Sequence, residues 1–395
     1  MSKICLNFIA HQPNRLIPYD FFKIGEHAFY EDDDLNGRVL NAVAERCYLP
    51  ANRMMKQLIE LTEGQFRFGL AISGVLLEQA CYHRPDLIVS FRELADTGCV
   101  DFVLMPYYCS LASVYSPSEF AEQVEEHAKM IKKLFGKKAS VLVNTGMLYS
   151  NSTASQVETL GLKGIIADGN PALLQGYKDN EVFLAPQVSK TSTIFRNKLL
   201  SNDLAFKRTD PEWEEYPLSP LTFVDWLSNQ TGSVTTISMD YETLGERQND
   251  ASGVFEFWKT LITNALERDN QFLTPTEVTE KIKPVGVCDC TQDMTSSAAG
   301  SMEQWNGNVM QDEAIKKIYR LEGAVKAANN TDLTHVWRKL QSADHFQYME
   351  KDNSFMPYAS PYDAYIYYMN ALSDLQIRVK RIAALNKATP GQALV

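Results

Sequence analysis

The chain has 395 residues, 45% of them hydrophobic and 22% charged, with 20 Gly and 16 Pro; these fractions exclude collagen-like, coiled-coil and disordered classes and leave room for a large core with an appendage or for two or three domains. Lys and Arg number 38 against 49 Asp and Glu, a formal net charge of -11, so no phosphate-neutralising surface for nucleic acid is expected and neutral ligands suit the balance better. No stretch approaches a membrane span, the opening MSKICLNFIA is too weakly apolar for a secretory signal, and the seven scattered cysteines, with Cys288 and Cys290 one residue apart, read as reduced thiols of a cytoplasmic chain.

Lys3 to Ala10 predicts a first strand that delivers His11-Gln12-Pro13 at its carboxyl end. Val39 to Glu63 has helical periodicity, with Pro50 opening a second helix after a short break. Phe66 to Ile72 alternates like a strand and runs through Ser73-Gly74 into a helix over Val75 to Ala80. A helix ends over Phe91 to Gly98, followed by a strand over Val100 to Met105. Ser116-Pro117-Ser118-Glu119 carries the signature of a helix start, and that helix ends at Phe135-Gly136. Strands follow over Ala139 to Val143 and Gly164 to Ala167, separated by a helix over Ser152 to Leu160. The last strand of this part is Val234 to Met239, followed by Phe255 to Leu266 as a helix. Short strands alternating with helices predict crossover units and a largely parallel sheet, in which function collects where strands end. Asp312 to Lys326, Leu333 to Phe346 and Pro361 to Ala384 are helical without intervening strands. The barrel-like part is therefore placed at residues 1–285 and a helical part at 286–395, with the polar stretch Cys288 to Gly300 as a loop.

Three sets of residues stand near predicted strand ends: His11, Glu78, and Asp240 with Glu242. If the last strand continues, Asp240 and Glu242 face the same way, and two carboxylates over one cleft are the raw material of sugar hydrolysis. The residues alone leave an equal alternative, a solvated helix start whose acids favour the helix dipole. His11 has a structural reading as a hydrogen-bond partner. His27 beside Glu31-Asp32-Asp33-Asp34 lacks the spaced histidine pair of a metal site, and no metal is expected. Among the aromatics, Tyr107, Tyr108, Trp213, Tyr216, Trp226, Tyr241, Trp258 and Trp305 fall in or beside predicted loops. Rings with a polar handle suit pyranose faces, although most aromatics must fill the core.

These segments together resemble glycoside hydrolase family 57, in its shorter α-amylase-like branch, from Cys5 to about Leu375. The resemblance is carried by His11-Gln12-Pro13-Asn14-Arg15-Leu16, Cys47-Tyr48-Leu49-Pro50-Ala51-Asn52, Ile72-Ser73-Gly74 with Leu77-Glu78-Gln79, and Tyr107-Tyr108-Cys109-Ser110-Leu111-Ala112. It continues through Phe195-Arg196-Asn197, Leu200-Ser201-Asn202-Asp203-Leu204-Ala205-Phe206, Met239-Asp240-Tyr241-Glu242-Thr243-Leu244-Gly245-Glu246 and Ser360-Pro361-Tyr362-Asp363-Ala364. It implies an incomplete seven-stranded (β/α) barrel followed by a C-terminal helical domain that completes the cleft. It also implies retaining cleavage of α-glucosidic bonds, no organic cofactor and no metal. Asp240 falls at the proton-donor position, His11 and Glu78 at positions framing the cleavage subsite, and Glu242 and Trp305 in substrate-binding segments. The family's nucleophilic glutamate belongs in Asn-Thr-Glu-Leu, where this chain reads Asn144-Thr145-Gly146-Met147. Histidine normally follows the tyrosine pair, where Cys109 stands, and a tryptophan- and acid-containing stretch is replaced by Thr295 to Ser301. The expectation is a protein that binds an α-1,4-glucan or maltooligosaccharide with little or no hydrolysis. The alternatives are an active glucan hydrolase or transferase using another group or water, and a structural or assembly protein without sugar binding.

Overall fold

The first strand, β1 (Lys3–Ala10), is buried along most of its length and has a parallel neighbour on each side. A computed structural model, describing residues 2–174, 176–351 and 357–388, shows how a ring closes around it. On one side lie β2 (Phe68–Ile72) and then β3 (Val100–Val103). Leu104 joins that edge to β4 (Val141–Val143), donating its N–H to Val141 O and accepting from Val143 N, each at 2.8 Å. β4 pairs with β5 (Gly164–Asp168). The chain then forms β6 (Val182–Leu184) and β7 (Ser192–Arg196), antiparallel to each other, and β5 pairs with β7 in parallel. β8 (Thr235–Asp240) returns to β1. β6 occupies much of the free edge of β7, so β7 meets β8 at only one register point, Arg196 opposite Thr236. The result is a nearly closed barrel of seven parallel strands, with β6 outside the ring. Two short strands complete the sheet: β9 (Gln271–Phe272) beside β1 and β10 (Gly286–Val287) beside β6.

Parallel strands covered on both sides need apolar residues at successive positions rather than alternation. Accordingly Phe68 to Ile72 is buried at every residue, so the alternation read there does not mark an exposed face. The seventh barrel strand, Ser192–Arg196, escaped the periodicity reading because its five residues mix Ser, Thr and Arg with only two large apolar side chains. The expected break before Pro50 is also absent. A helix over Asp33–Val43 passes through a π turn at Ala44–Tyr48 directly into Leu49–Leu61, with Pro50 in the first turn. The wider turn ends where a residue without an N–H can be accommodated. The Ser116 start forms as read: its hydroxyl accepts from Glu119 N at 3.2 Å and the helix runs Pro117–Phe135.

The amino ends of the strands are closed by a short helix, Pro275–Lys281, held at its start by a capping box between Thr274 and Glu277. Its Thr276 N donates to Asp101 Oδ2 on β3 at 2.8 Å, and its Thr276 hydroxyl bonds Ser140 beside β4. The helix fits because two barrel positions have no side chain. A Cβ on Gly69 would lie 2.5 Å from Pro275, and one on Gly164 would lie 2.6 Å from Thr279. Closure at this end leaves the carboxyl ends as the face where strand-following side chains gather.

The chain divides into two compact units. The barrel unit comprises residues 1–12, 37–107 and 121–300; the second comprises 13–36, 108–120 and 301–395. Within the second, the long helix Pro361–Ala388 packs against the helices Val309–Arg320, Glu322–Ala328 and Thr331–Lys339. The predicted helix over Leu333 to Phe346 is interrupted after Lys339 and resumes at Ala343–Gln347. Two fully buried acids are each compensated in this unit: Glu119 by Arg338 at 2.7 Å, and Asp374 by Arg378 and the Tyr30 hydroxyl at 2.5 Å.

If the closing helix fits only because of these glycines, Gly69→Ala and Gly164→Ala should each lower stability by about 1 to 3 kcal/mol through overpacking. Urea denaturation should show earlier midpoints with an unchanged slope, and unchanged midpoints would show that the helix has slack.

Candidate active site

Strand register brings the first group of side chains together. Ala10 lies opposite Ile72 on β2, and Ile9 lies opposite Asp240 on β8, so the residues that follow these strands meet at one rim. His11 N donates to Glu242 Oε1 at 3.0 Å, and His11 Nδ1 is 2.8 Å from Ser73 Oγ. Ser73 is also the N-cap of the helix Gly74–His83, accepting from Leu76 N at 3.2 Å. One turn into that helix, Glu78 Oε1 accepts from the Tyr107 hydroxyl at 2.9 Å.

Asp240 and Glu242 do not face the same way, as a continued strand would require. β8 ends at Asp240, and Tyr241–Thr243 forms a short 3-10 turn whose side chains are buried. It is therefore neither an extension of the strand nor a solvated helix start. Asp240 remains 40% exposed and forms an ion pair through Oδ2 with Arg247. Glu242 points inward, and its Oε1 also accepts from the Tyr48 hydroxyl. Tyr48 is fully buried, and its oxygen in turn accepts from Gln12 Nε2 at 3.3 Å. The next residues interlock similarly: the Tyr241 hydroxyl donates to Asn52 Oδ1 at 2.8 Å, and the Tyr48 and Tyr241 rings stack at 6.3 Å. Burial, reinforced by the neighbouring Asp240 charge, pushes the Glu242 carboxyl up to about 7, against the opposing effect of the Tyr48 and His11 hydrogen bonds. Glu242 is therefore a buried positioning group for His11 and Tyr48.

Gly146 follows β4, across the ring from β1 and β8. Its backbone is left-handed (φ 55, ψ 27), and Met147 beside it has φ 54. The Gly146 carbonyl accepts from both Ser296 N at 2.9 Å and Ser296 Oγ at 3.1 Å. The loop before Ser296 is zipped to the same segment by two backbone bonds between Tyr149 and Met294, each 2.9 Å. The turn at Gly146 and the loop that carries Ser296 are thus in direct contact. Glu158, the one acid in the helix Asn151–Thr159, does not turn toward this segment's chemistry: its Oε1 accepts from Ser189 N and Lys190 N at 2.8 and 2.6 Å.

The loop aromatics separate into two sets. Tyr107, Tyr108, Tyr241, Trp258 and Trp305 are at most 3% exposed, so their rings are packed rather than open platforms. Trp305 and Cys109 belong to the second unit. Trp213 and Trp226 are half-buried and Tyr216 is 47% exposed. Sequence reasoning assigned no role to Tyr48, Ser73, Arg247 or Ser296. Tyr48 and Ser73 stood inside quoted family segments, but Arg247 and Ser296 carried no signal of their own. His127 also went unnoticed: it is fully buried, its Nδ1 accepts from Met105 N at 3.2 Å, and its Nε2 donates to Ile72 O at 2.7 Å. Burial pushes its pKa down to about 4, as suits a neutral structural imidazole. Among the described residues no group of three or more His, Cys, Asp or Glu side chains gathers that could hold a metal ion.

A parallel barrel closed at one end, with carboxylates, a histidine and buried tyrosines at its carboxyl rim, has the architecture of a barrel enzyme. Residues 5–291 match the glycosyl hydrolase family 57 model. The chain is 31% identical to a protein of Methanocaldococcus jannaschii described as "Putative alpha-amylase", over 96% of this chain and 85% of that one. It belongs to glycosyl hydrolase family 57. The fold is shared with a GH57-type branching enzyme of Pyrococcus horikoshii (TM-score 0.72, 12% identity, 98% of this chain and 92% of that one). It is shared also with a 4-alpha-glucanotransferase of Thermococcus litoralis (TM-score 0.65, 14% identity, 87% of this chain), of whose length this chain spans only 56%.

The Glu242 carboxyl has an acid–base consequence for stability. Between about pH 4.5 and 7 the folded state keeps a proton that the unfolded chain has released, so this group's contribution is present below that window and is lost as pH rises through it. Relative to Glu242→Gln, the wild type should lose on the order of 1 to 3 kcal/mol across this window. Measuring denaturation of both proteins at each pH cancels the opposite slope from buried His127, and a difference independent of pH would contradict the assignment.

Proposed function

We propose that this protein binds an α-1,4-glucan or maltooligosaccharide at the barrel rim with little or no hydrolysis. The observation that carries this reading is the left-handed turn at Gly146, its carbonyl taken up by Ser296, where the resemblance places the family's nucleophilic glutamate. Asp240, which the resemblance places at the family's proton-donor position, is held at the rim by its ion pair with Arg247. Its exposed edge takes hydrogen bonds from sugar hydroxyls. The second requirement of retaining cleavage is a carboxylate about 5 to 5.5 Å from the acid, which becomes the nucleophile. Glycine at 146, the position matching the family's glutamate, offers no such group. His11 and Glu78 supply further polar contacts to the sugar, while Glu242 holds His11 in place from beneath. The odd number and scattered spacing of the seven cysteines suit a reducing compartment, and we place the protein in the cytoplasm.

Three proteins assayed side by side test this: wild type, Gly146→Glu, and Gly146→Glu/Asp240→Asn. A glutamate in the left-handed backbone of Gly146 costs about 1 to 2 kcal/mol, and Met147 already tolerates that conformation. On an activated α-glucosyl substrate the wild type should turn over several powers of ten more slowly than Gly146→Glu, the double variant should return to the wild-type rate, and azide should accelerate the wild type. Calorimetry with maltooligosaccharides should show heat of binding in the wild type. Brisk wild-type turnover abolished by Asp240→Asn would overturn the non-hydrolytic reading, and absence of binding heat would overturn the sugar reading.

A further inference from the structure

The segment between β7 and β8 carries aromatic rings that neither the barrel core nor the rim network uses. Its base is fixed to the turn that bears Asp240. Gln248 Nε2 donates to Leu204 O at 2.7 Å and to Ala205 O at 3.2 Å, and Arg208 Nε donates to Gln248 Oε1 at 2.7 Å. With Arg208 N also donating to Asp203 O at 2.9 Å, the backbone on both sides of Phe206 is tied down, yet its ring is 58% exposed. An apolar ring left in water on a rigid backbone is the informative kind of exposure. The Arg247 guanidinium that pairs with Asp240 lies over this ring, 5.7 Å from its centre. Farther along, Lys207 lies 5.6 Å from the centre of Trp213, Trp213 meets Trp226 edge to face at 6.2 Å, and Tyr216 is 47% exposed. Successive backbone bonds hold the loop in shape: Asp210 N to Lys207 O, Trp213 N to Asp210 O, and Tyr216 N to Trp213 O, at 2.8 to 3.1 Å. Exposed Asp210, Glu212, Glu214 and Glu215 stand among these rings.

We infer that this segment is an extension of the glucan site: a track on which Phe206 and Tyr216 stack against successive sugar rings of a long α-glucan whose bound end lies at Asp240. The inference rests on the proposed glucan binding and adds to it a preference for long chains. Two features select this occupant. The track is continuous with the rim through Arg247 and Phe206, and its mixture of aromatic faces with carboxylates matches a neutral polyol, whose C–H faces stack while its hydroxyls donate. The same acids repel a phosphate backbone or an anionic membrane. Trp213 and Trp226 act as the buttress, with one face of Trp213 under Lys207.

Calorimetry with maltotriose and with soluble amylose on wild type, Phe206→Ala and Tyr216→Ala tests this. Both replaced rings are well exposed, so the variants should fold, and their circular dichroism and melting should match the wild type. The wild type should bind amylose more tightly than maltotriose. Each variant should lower amylose affinity by roughly threefold to tenfold, the range of a single aromatic contact, while leaving maltotriose affinity unchanged. Unchanged amylose affinity in both variants, or an equal loss for both sugars, would overturn the track while leaving the rim reading intact. A wild type silent toward both sugars would overturn the glucan reading itself, and the track with it.

Discussion

One buried carboxyl holds the rim together. Glu242 accepts from the backbone following β1 and from a tyrosine in the π turn between two helices, while its own backbone continues from the end of β8. Three distant parts of the chain thereby converge on a group that is costly to bury charged. The cost is limited by the hydrogen bonds and by a pKa near neutrality. Removing one partner would take away a hydrogen bond from this buried carboxyl, so the geometry of His11 depends on the whole cluster.

That cluster gives the two sides of the rim different characters. Beside β1 and β8 the network is dense and rigid, with Arg46 and Glu246 joined by two 2.9 Å bonds just beyond the Asp240 turn. Across the ring, after β4, the segment that resembles a nucleophile motif is a left-handed turn whose carbonyl is taken up by Ser296. A binding surface can survive on the first side alone. Retaining chemistry needs a carboxylate from each side, and the turn at Gly146 presents a backbone carbonyl, already bonded to Ser296, rather than a side chain.

The barrel was legible because parallel strands bury both faces and so appear as short apolar runs followed by Gly, Pro or polar stops; six of its seven strands stood out this way. Ser192–Arg196 did not, since its arginine is satisfied by Asp168 and Ser238 O rather than by solvent, a tertiary arrangement that local composition does not carry. The rim histidine and Asp240 were visible at strand ends. The inward turn of Glu242 was not, because period-two reasoning assumes that a strand continues, and here a 3-10 turn intervenes. Arg247 was invisible for a related reason. Six residues separate it from Asp240, and the fold back through Gly245 N to Gln248 O at 3.0 Å brings the guanidinium onto the carboxylate.

A crystal structure of the wild type soaked with maltoheptaose tests the central claim most directly. The account predicts an uncleaved chain across the rim, with Arg247 still on the Asp240 carboxylate and no protein carboxylate next to the anomeric carbon on the opposite face. A cleaved or covalently attached sugar, with a second acid within about 5 to 5.5 Å of Asp240, would contradict it.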